Sequence, residues 1–285
     1  MSRIVYVNGR YLPARDATVS FEDRGYQFSD GVYEVCEVRD GKIVDLPRHL
    51  TRLHRSLAEL RIEPPMNDAA LGMIIHEVVR RNRVGYGIVY LQITRGVARR
   101  DHAFPPPGVR PCLVVSARKL NYERTQATAE KGIAVITVPD IRWGRVDIKA
   151  ISLLPNVLAR QAAREQGAYE AWLVDRDGYV TEGAASNAWI VTGDGRLVTH
   201  PAGTAILTGI TRQVVLEVIA SLQLKLDERP FTVAEALAAN EAFITAASQI
   251  VMPVVRIDGR TIGQGRPGPV AQRLRESFHQ FSNFS

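Results

Sequence analysis

An α+β fold with mainly antiparallel sheets and packed helices, arranged in two domains, is expected from three features of the sequence. Asn8-Gly9, Asp40-Gly41, Asp177-Gly178, Asp194-Gly195 and Asp258-Gly259 each stand between short apolar or alternating runs. Such pairs accept positive φ at the two central positions of a tight hairpin, and two-residue loops join only antiparallel strands. Between them lie five stretches of helical period. In 47–60 the period puts Leu50, Leu53, Leu57 and Leu60 on one face, and 67–81, 155–166, 211–221 and 267–281 read alike. Runs at 87–94, 111–117 and 133–138 read as strands. Strands and helices mix without a repeated strand–helix–strand rhythm, which argues against a doubly wound sheet.

The length of 285 residues suits one large domain or two smaller ones. The polar segment 119–131 (KLNYERTQATAEK) has neither period and reads as a linker. The expected domains are therefore 1–120 and 121–285, the second carrying Lys149. A composition of 46% hydrophobic and 23% charged residues is that of a folded globular chain and excludes disorder. No apolar run approaches the ~18 residues of a membrane span, so no membrane partner is expected. Two cysteines, Cys36 and Cys112, are too few for a disulfide framework or a four-ligand zinc site, and a reducing, cytoplasmic compartment is the expectation. The net charge of +6 comes from scattered arginines rather than a basic stripe, which argues against nucleic acid.

Several motifs carry less than their spelling suggests. Gly263-Gln264-Gly265-Arg266-Pro267-Gly268 matches a dinucleotide fingerprint, but only seventeen residues follow and the unit cannot be completed. It reads as a loop entering the last helix, with Pro267 near the first turn. His49 and His54 are five apart, which does not put them on one helix face, and no metal site is expected. There is no G-x-S-x-G elbow and no phosphate-binding P-loop. Cys36, in VYEVCEV, reads as inert packing.

Lys149 is the unusual lysine among five, since it alone lies inside an apolar run, VDIKAISLL (146–154). A lysine there either reaches solvent along its stem or is put to use, and desolvation favours the neutral amine that a nucleophile requires. Glu182 lies in TEGAASNAW (181–189), a small-residue turn that lets backbone approach a ligand closely. ILTGITR (206–212) leads into the helix near Thr211, and helix N-terminal amides beside a hydroxyl form a phosphate cradle. Arg52, on the first long helix, is suited to a bidentate phosphate contact. A lysine, a carboxylate and a phosphate nest together suggest pyridoxal 5′-phosphate.

With these residues in view, the chain resembles the fold-type IV pyridoxal-phosphate enzymes, and within them the D-amino acid aminotransferases. The resemblance rests on DRGYQFSDGVYEV (23–35), QITRGVARRDHAFP (92–105), DIKAISLLPNVLA (147–159), TEGAASNAW (181–189) and ILTGITR (206–212), in that order. It implies that Lys149 is the Schiff-base lysine and the acid–base between Cα and C4′, and that Glu182 pairs with the pyridine nitrogen. It further implies a phosphate site of Arg52, Leu207, Ile210 and Thr211, with Ala247 and Ser248 nearby. Ala247 stands where the family pattern has a phosphate-binding threonine, leaving Ser248 or a water to fill that place. Ala185 stands where some members have serine.

For the substrate, the resemblance implies Tyr33, Val35, Arg100 and His102, with tyrosine, arginine and histidine holding the α-carboxylate. A guanidinium flanked by two donors suits that group. The implied reaction is ping-pong transamination from a D-amino acid such as D-alanine to a 2-oxo acid such as 2-oxoglutarate, in a homodimer. The branched-chain L-amino acid aminotransferases usually carry a Y-x-R-P segment where this chain has Tyr90–Gly96. The (R)-amine transaminases remain an alternative, and aminodeoxychorismate lyases, without the Arg-x-His pair, stand further off. A scaffold that has lost catalysis and only binds is disfavoured by the presence of both Lys149 and Glu182.

Overall fold

The structure is a computed structural model that describes residues 3–285. It divides into two compact units: 1–121 with 148–152 and 283–285, and 122–147 with 153–282.

The first unit is a six-stranded sheet with three helices. Its elements are β1 (Ile4–Val7), β2 (Arg10–Pro13), α1 (Arg24–Phe28), β3 (Gly31–Arg39), β4 (Lys42–Ile43), α2 (Leu46–Glu59), α3 (Asp68–Arg81), β5 (Tyr86–Thr94) and β6 (Cys112–Lys119). The sheet order is β2-β1-β6-β5-β3-β4, every pair antiparallel. The turns at Asn8-Gly9 (φ 45° and 94°) and Asp40-Gly41 (φ 52° and 78°) take the left-handed conformations expected of them. The leucine stripe of α2 meets the sheet: Leu50, Leu53 and Leu57 are buried with Val32, Cys36, Val38, Leu91 and Ile93. In α3, Asn67 caps the N-terminus by accepting from the Ala70 N–H, and Leu71, Ile75 and Val78 complete the same core.

Where the sequence alone placed Lys149 in a second domain spanning 121–285, residues 148–152 group with this first unit. The cause is backbone pairing across the start of β3. Tyr33 N–H donates to the Lys149 carbonyl at 3.0 Å, Ile151 N–H donates to the Gly31 carbonyl at 3.1 Å, and Val32 bridges Ala150. Residues 283–285 join by two hydrogen bonds between Ser285 and Ile43 and by Asp45 N–H donating to the Asn283 carbonyl.

The second unit contains α4 (Tyr122–Lys131), β7 (Ile133–Pro139), α5 (Leu154–Glu165), β8 (Glu170–Val174), β9 (Tyr179–Gly183), β10 (Asn187–Val191), β11 (Leu197–Thr199), α6 (Ile210–Ser221), β12 (Leu226–Glu228), β13 (Phe231–Thr232), α7 (Val233–Leu237), β14 (Glu241–Ala246), β15 (Ile250–Ile257), β16 (Arg260–Thr261) and α8 (Pro269–Ser277). Nine strands run in the order β12-β11-β10-β14-β15-β7-β8-β9-β13, with β16 paired to β15. The pairs β15–β7, β7–β8 and β11–β12 are parallel and the rest antiparallel. Strand β10 is buried on both faces: Ala188 and Ile190 enter one core, Trp189 the other, against α6 and α8. That two-sided burial explains its apolar run from Ala188 to Val191.

Two expectations are corrected here. Segment 119–131 is no linker, since 122–131 form α4. Only Ala129 of that helix is buried, so it shows no apolar stripe, and Arg275 of α8 holds it by donating to Gln126 at 2.9 Å. The last helix starts at Pro269 behind Gly268, two residues later than the Pro267 start.

Candidate functional site

In the first unit, Ile148 and Ala150 are buried in the core, and the half-buried Lys149 between them alternates to the other side. Its Nζ stands 4.1 Å from the centre of the Tyr33 ring and makes no ion pair among the described residues. Its backbone N–H donates to Ser56 Oγ at 3.3 Å, from a serine fully buried on α2. Tyr33 and Val35 alternate on β3 opposite Gln92 and Tyr90 of β5, and the Tyr33 and Tyr90 rings lie 5.7 Å apart. Burial first, and then the neighbouring Tyr33, push the Tyr90 phenol up to about 12.

Arg52 is buried on α2, one turn after His49, and both side chains converge on Glu34 of β3. Arg52 Nε donates to Glu34 Oε1 and Nη2 to Oε2, each at 2.7 Å, in the two-pronged geometry of a guanidinium–carboxylate pair. His49 Nδ1 lies 2.7 Å from Glu34 Oε2. Burial alone would raise the Glu34 carboxyl, but the Arg52 charge and its hydrogen bonds, with His49, hold it far below the carboxylate range. Glu34 is thus ionised and accepts only, so His49 donates from Nδ1. Burial lowers the His49 pKa despite Glu34, leaving a neutral imidazole. Two donors of Arg52, expected at a phosphate, are therefore committed to Glu34.

Arg100 and His102 lie on the exposed loop after β5. The Arg100 guanidinium is 4.7 Å from the Phe28 ring centre, and the His102 ring is 5.4 Å from the same ring. Arg100 makes no ion pair among the described residues, so its charge is available to an anion.

In the second unit, Glu182 is buried on β9 and gathers donors from three directions. Arg142 Nη1 pairs with its Oε1, Asn187 Nδ2 donates to Oε2 at 2.9 Å, and the Leu207 N–H stands 3.1 Å from both oxygens. Arg142 is in turn gripped by Asp140, through Nε at 2.9 Å and Nη2 at 2.7 Å, while Thr181 Oγ1 donates to Asp140 Oδ2 at 2.8 Å. Burial would raise the Asp140 carboxyl, but the Arg142 hydrogen bonds and charge hold it below its ordinary value. Burial opposes the charge on Arg142, and its two carboxylates more than reverse that effect.

Helix α6 begins behind Gly209, which offers no side-chain cap to the first turn of Ile210 and Thr211. A Cβ at residue 209 would come within 2.3 Å of Oδ1 of Asn187, the residue that orients Glu182, so the Asn187 side chain leaves room only for glycine. An uncapped N-terminus with a threonine hydroxyl beside it is suited to a phosphate dianion. Ala247 and Ser248 lie in the turn between β14 and β15, both half-buried. Within the second unit, a buried carboxylate acceptor and an uncapped helix terminus are chemistry that suits the ring nitrogen and the phosphate of pyridoxal phosphate.

Sequence reasoning missed Arg142, Asp140, Glu34 and His49, and quoted Asn187 without giving it a role. Arg142 follows Asp140 by two residues in a loop without period, so no pattern marks it. Glu34 does carry a signal, because it alternates with Val32 and Cys36 on the buried side of β3 and needs a cation there.

Among the described residues no three histidine, cysteine or acidic side chains are grouped to hold a metal ion, and no helix is long and apolar enough to cross a membrane. A family model described as amino-transferase class IV matches residues 31–257. The chain is 40% identical over 277 residues to the D-alanine aminotransferase of Staphylococcus haemolyticus, covering 97% of each chain. It is 41% identical over 271 residues to that of Bacillus licheniformis, covering 95% of this chain and 94% of the relative. Among solved structures, the branched-chain aminotransferase of the thermophilic archaeon Thermoproteus uzoniensis with norvaline is similar, with a TM-score of 0.84 and 26% identity over 98% of this chain and 94% of that one. A second branched-chain amino acid aminotransferase, solved with pyridoxamine 5′-phosphate, has a TM-score of 0.88 and 28% identity over the same shares of the two chains.

Proposed function

The chain belongs to the class IV amino-transferases, and we propose that it is a pyridoxal-phosphate-dependent D-amino acid transaminase. It moves the amino group of a D-amino acid such as D-alanine to a 2-oxo acid such as 2-oxoglutarate, in two half-reactions. The observation that carries this reading is the 40% identity to a D-alanine aminotransferase along nearly the whole of both chains. The branched-chain relatives are less similar in sequence, at 26% and 28%.

Bound pyridoxal phosphate supplies an electron sink that stabilises negative charge at the substrate Cα. Lys149 would hold it through Nζ, and the same amine, once released, would serve as the proton carrier at the substrate Cα. A positioned proton carrier of this kind is worth roughly 10²–10⁴-fold. Glu182 keeps the ring nitrogen protonated, and its fixed orientation between Arg142, Asn187 and Leu207 removes the cost of reorganising it. Ile210 N–H, the Thr211 hydroxyl and Ser248 would take the phosphate, with Arg52, two of whose donors are held by Glu34, adding its charge, Leu207 acting through Glu182 and Ala247 giving no hydroxyl. In the homodimer the loop carrying Arg100 and His102 reaches into the other subunit's site, where with that site's Tyr33 it would bind the α-carboxylate, and Val35 would line the side-chain space. The working unit in this reading is a homodimer in the cytoplasm. The exposed apolar residues Leu154, Val157 and Leu158 of α5 support a covered face, and the two unpaired, buried cysteines suit a reducing compartment.

The test is the visible spectrum of the purified protein after addition of D-alanine alone. The expected result is a yellow band that decays without a 2-oxo acid present and returns when 2-oxoglutarate is added. A band that answers only L-leucine or an (R)-amine would overturn the substrate, and a protein that never binds the cofactor would overturn the enzyme.

A further inference from the structure

One buried ionic cluster in the first unit has no part in the reading above. Asp30, just before β3, lies between two guanidiniums: Arg24 Nε donates to its Oδ2 at 2.8 Å, and Arg95 donates from Nε to Oδ2 at 2.7 Å and from Nη2 to Oδ1 at 2.9 Å. Burial would raise the Asp30 carboxyl, but the two arginines hold it below its ordinary value.

The two arginines then reach in different directions. Arg95 donates to the carbonyls of Leu60 and Arg61, at 2.7 and 3.0 Å, and so closes the C-terminal end of α2. Arg24, only 3% exposed, turns to the loop: its Nη1 donates to the Asp101 carbonyl at 2.6 Å and its Nη2 reaches the His102 carbonyl at 3.5 Å. Its backbone holds the loop's root, with Arg24 N–H donating to the Gly96 carbonyl at 2.9 Å and Asp23 bridging Val97. Phe28, on the same short helix, lies within 4.8 Å of the Arg24 guanidinium and 4.7 Å of that of Arg100.

We propose that Arg24 is the positioning residue of the carboxylate-binding loop, setting selectivity for substrates with an α-carboxylate by fixing the backbone at residues 101 and 102. This rests on the reading of Arg100 and His102 given above. The carbonyls that Arg24 holds belong to the residues directly after and at those two positions, so their side-chain directions follow its fork. Asp30 is shared by Arg24 and Arg95, so one carboxylate balances only one of the two charges, and both guanidiniums also donate to backbone carbonyls. The positive charge of Arg100 stays unmatched inside the protein and open to an incoming carboxylate. A lysine at position 24 keeps the charge but not the planar fork that spans two carbonyls and a carboxylate.

The experiment measures Arg24→Gln, Arg24→Lys and Phe28→Leu as holoenzymes. The readouts are propanoate affinity by calorimetry, KM and kcat for D-alanine, and the cofactor's visible absorbance. In Arg24→Gln, the propanoate dissociation constant and the D-alanine KM are expected to rise together by about tenfold or more, as loss of a charge-assisted hydrogen bond implies. The absorbance should be unchanged and kcat should fall far less than KM rises, with Arg24→Lys between the two proteins. Phe28→Leu, which keeps bulk and removes the ring under Arg100, should shift both constants the same way, and it carries the test should the Arg24 variants not fold. Unchanged propanoate affinity, or equal losses in KM, kcat and absorbance, would overturn the proposal. A wild-type enzyme that neither binds propanoate nor turns over D-alanine would instead remove the carboxylate reading on which it rests.

Discussion

Tyr33 holds Lys149 at both ends: its N–H donates to the lysine carbonyl at 3.0 Å, and its ring lies 4.1 Å from the lysine Nζ. The backbone bond fixes where the lysine leaves the chain, and the π face gives an unpaired ammonium an attractive resting place worth about 0.5–2 kcal/mol. The amine is thus placed by its neighbour without being tied up in a salt bridge.

Replacing the amine while keeping the charge separates its chemical role from this packing. Lys149→Arg is expected to retain stability within about 1 kcal/mol, because the guanidinium also rests on aromatic faces. It should lose the yellow absorbance and all measurable turnover. An active, yellow Lys149→Arg would refute the role of Lys149.

The Glu34 carboxyl has a folded pKa far below its unfolded value near 4.5. A depressed folded value stabilises above the unfolded pKa, and that stability is lost as pH falls through the folded pKa. The wild-type melting temperature should therefore drop steadily below about pH 4.5. Glu34→Gln should be less stable at pH 7 by about 3–5 kcal/mol, since it leaves Arg52 buried without its charge partner. Its dependence on pH below 4.5 should be flatter. Thermal melts of both proteins from pH 3 to 8 make this measurement.

Arg142 is the cation between two carboxylates, the half-buried Asp140 and the buried Glu182. Arg142→Met should destabilise by about 3 kcal/mol at neutral pH, less in mild acid, where protonation relieves the repulsion. The double variant Asp140→Asn/Arg142→Met should recover part of the loss. Chemical denaturation at pH 5 and 8 would read both effects, and a loss independent of pH would contradict the electrostatic account.

Arg99 and Arg100 are adjacent and both exposed, but Arg100 rests on Phe28 beside His102. Arg100→Ala should raise the D-alanine KM about tenfold or more, the worth of a charged hydrogen-bond pair. Arg99→Ala should leave KM within about twofold, as a solvated cation would. Steady-state kinetics on the two variants decides which arginine serves the carboxylate.

Leu53 is 1% exposed in the α2 stripe. Leu53→Ala should cost about 2–5 kcal/mol through lost burial and a residual cavity, measured by urea unfolding.

Much of this organisation is legible in the sequence. The hairpin turns are marked by residues that tolerate positive φ, and α2 by leucines at a period matching its single buried face. The helix α4 is not legible, because a helix with one buried alanine has no apolar stripe to read. Lys149 and Glu182 stand out as charges within apolar or small-residue runs. Arg142 and Arg24 do not, because an arginine is common on surfaces and its burial depends on carboxylates brought near only by the fold. The grouping of 148–152 with β3 is likewise hidden, since two hydrogen bonds and one bridge leave no pattern in five residues.

The membership of residues 283–285 in the first unit bears on how the protein is made. Ser285 closes two backbone hydrogen bonds with Ile43, and Asn283 makes two hydrogen bonds with Asp45, so the edge at β4 stays open until these residues leave the ribosome. At ~5–20 residues per second, that is roughly ten to thirty seconds after residue 121 is synthesised. For that interval the nascent chain carries an unsealed strand edge, the feature that invites pairing with a neighbouring polypeptide. Chaperone occupancy of this region on translating ribosomes should therefore persist until residues 283–285 have emerged.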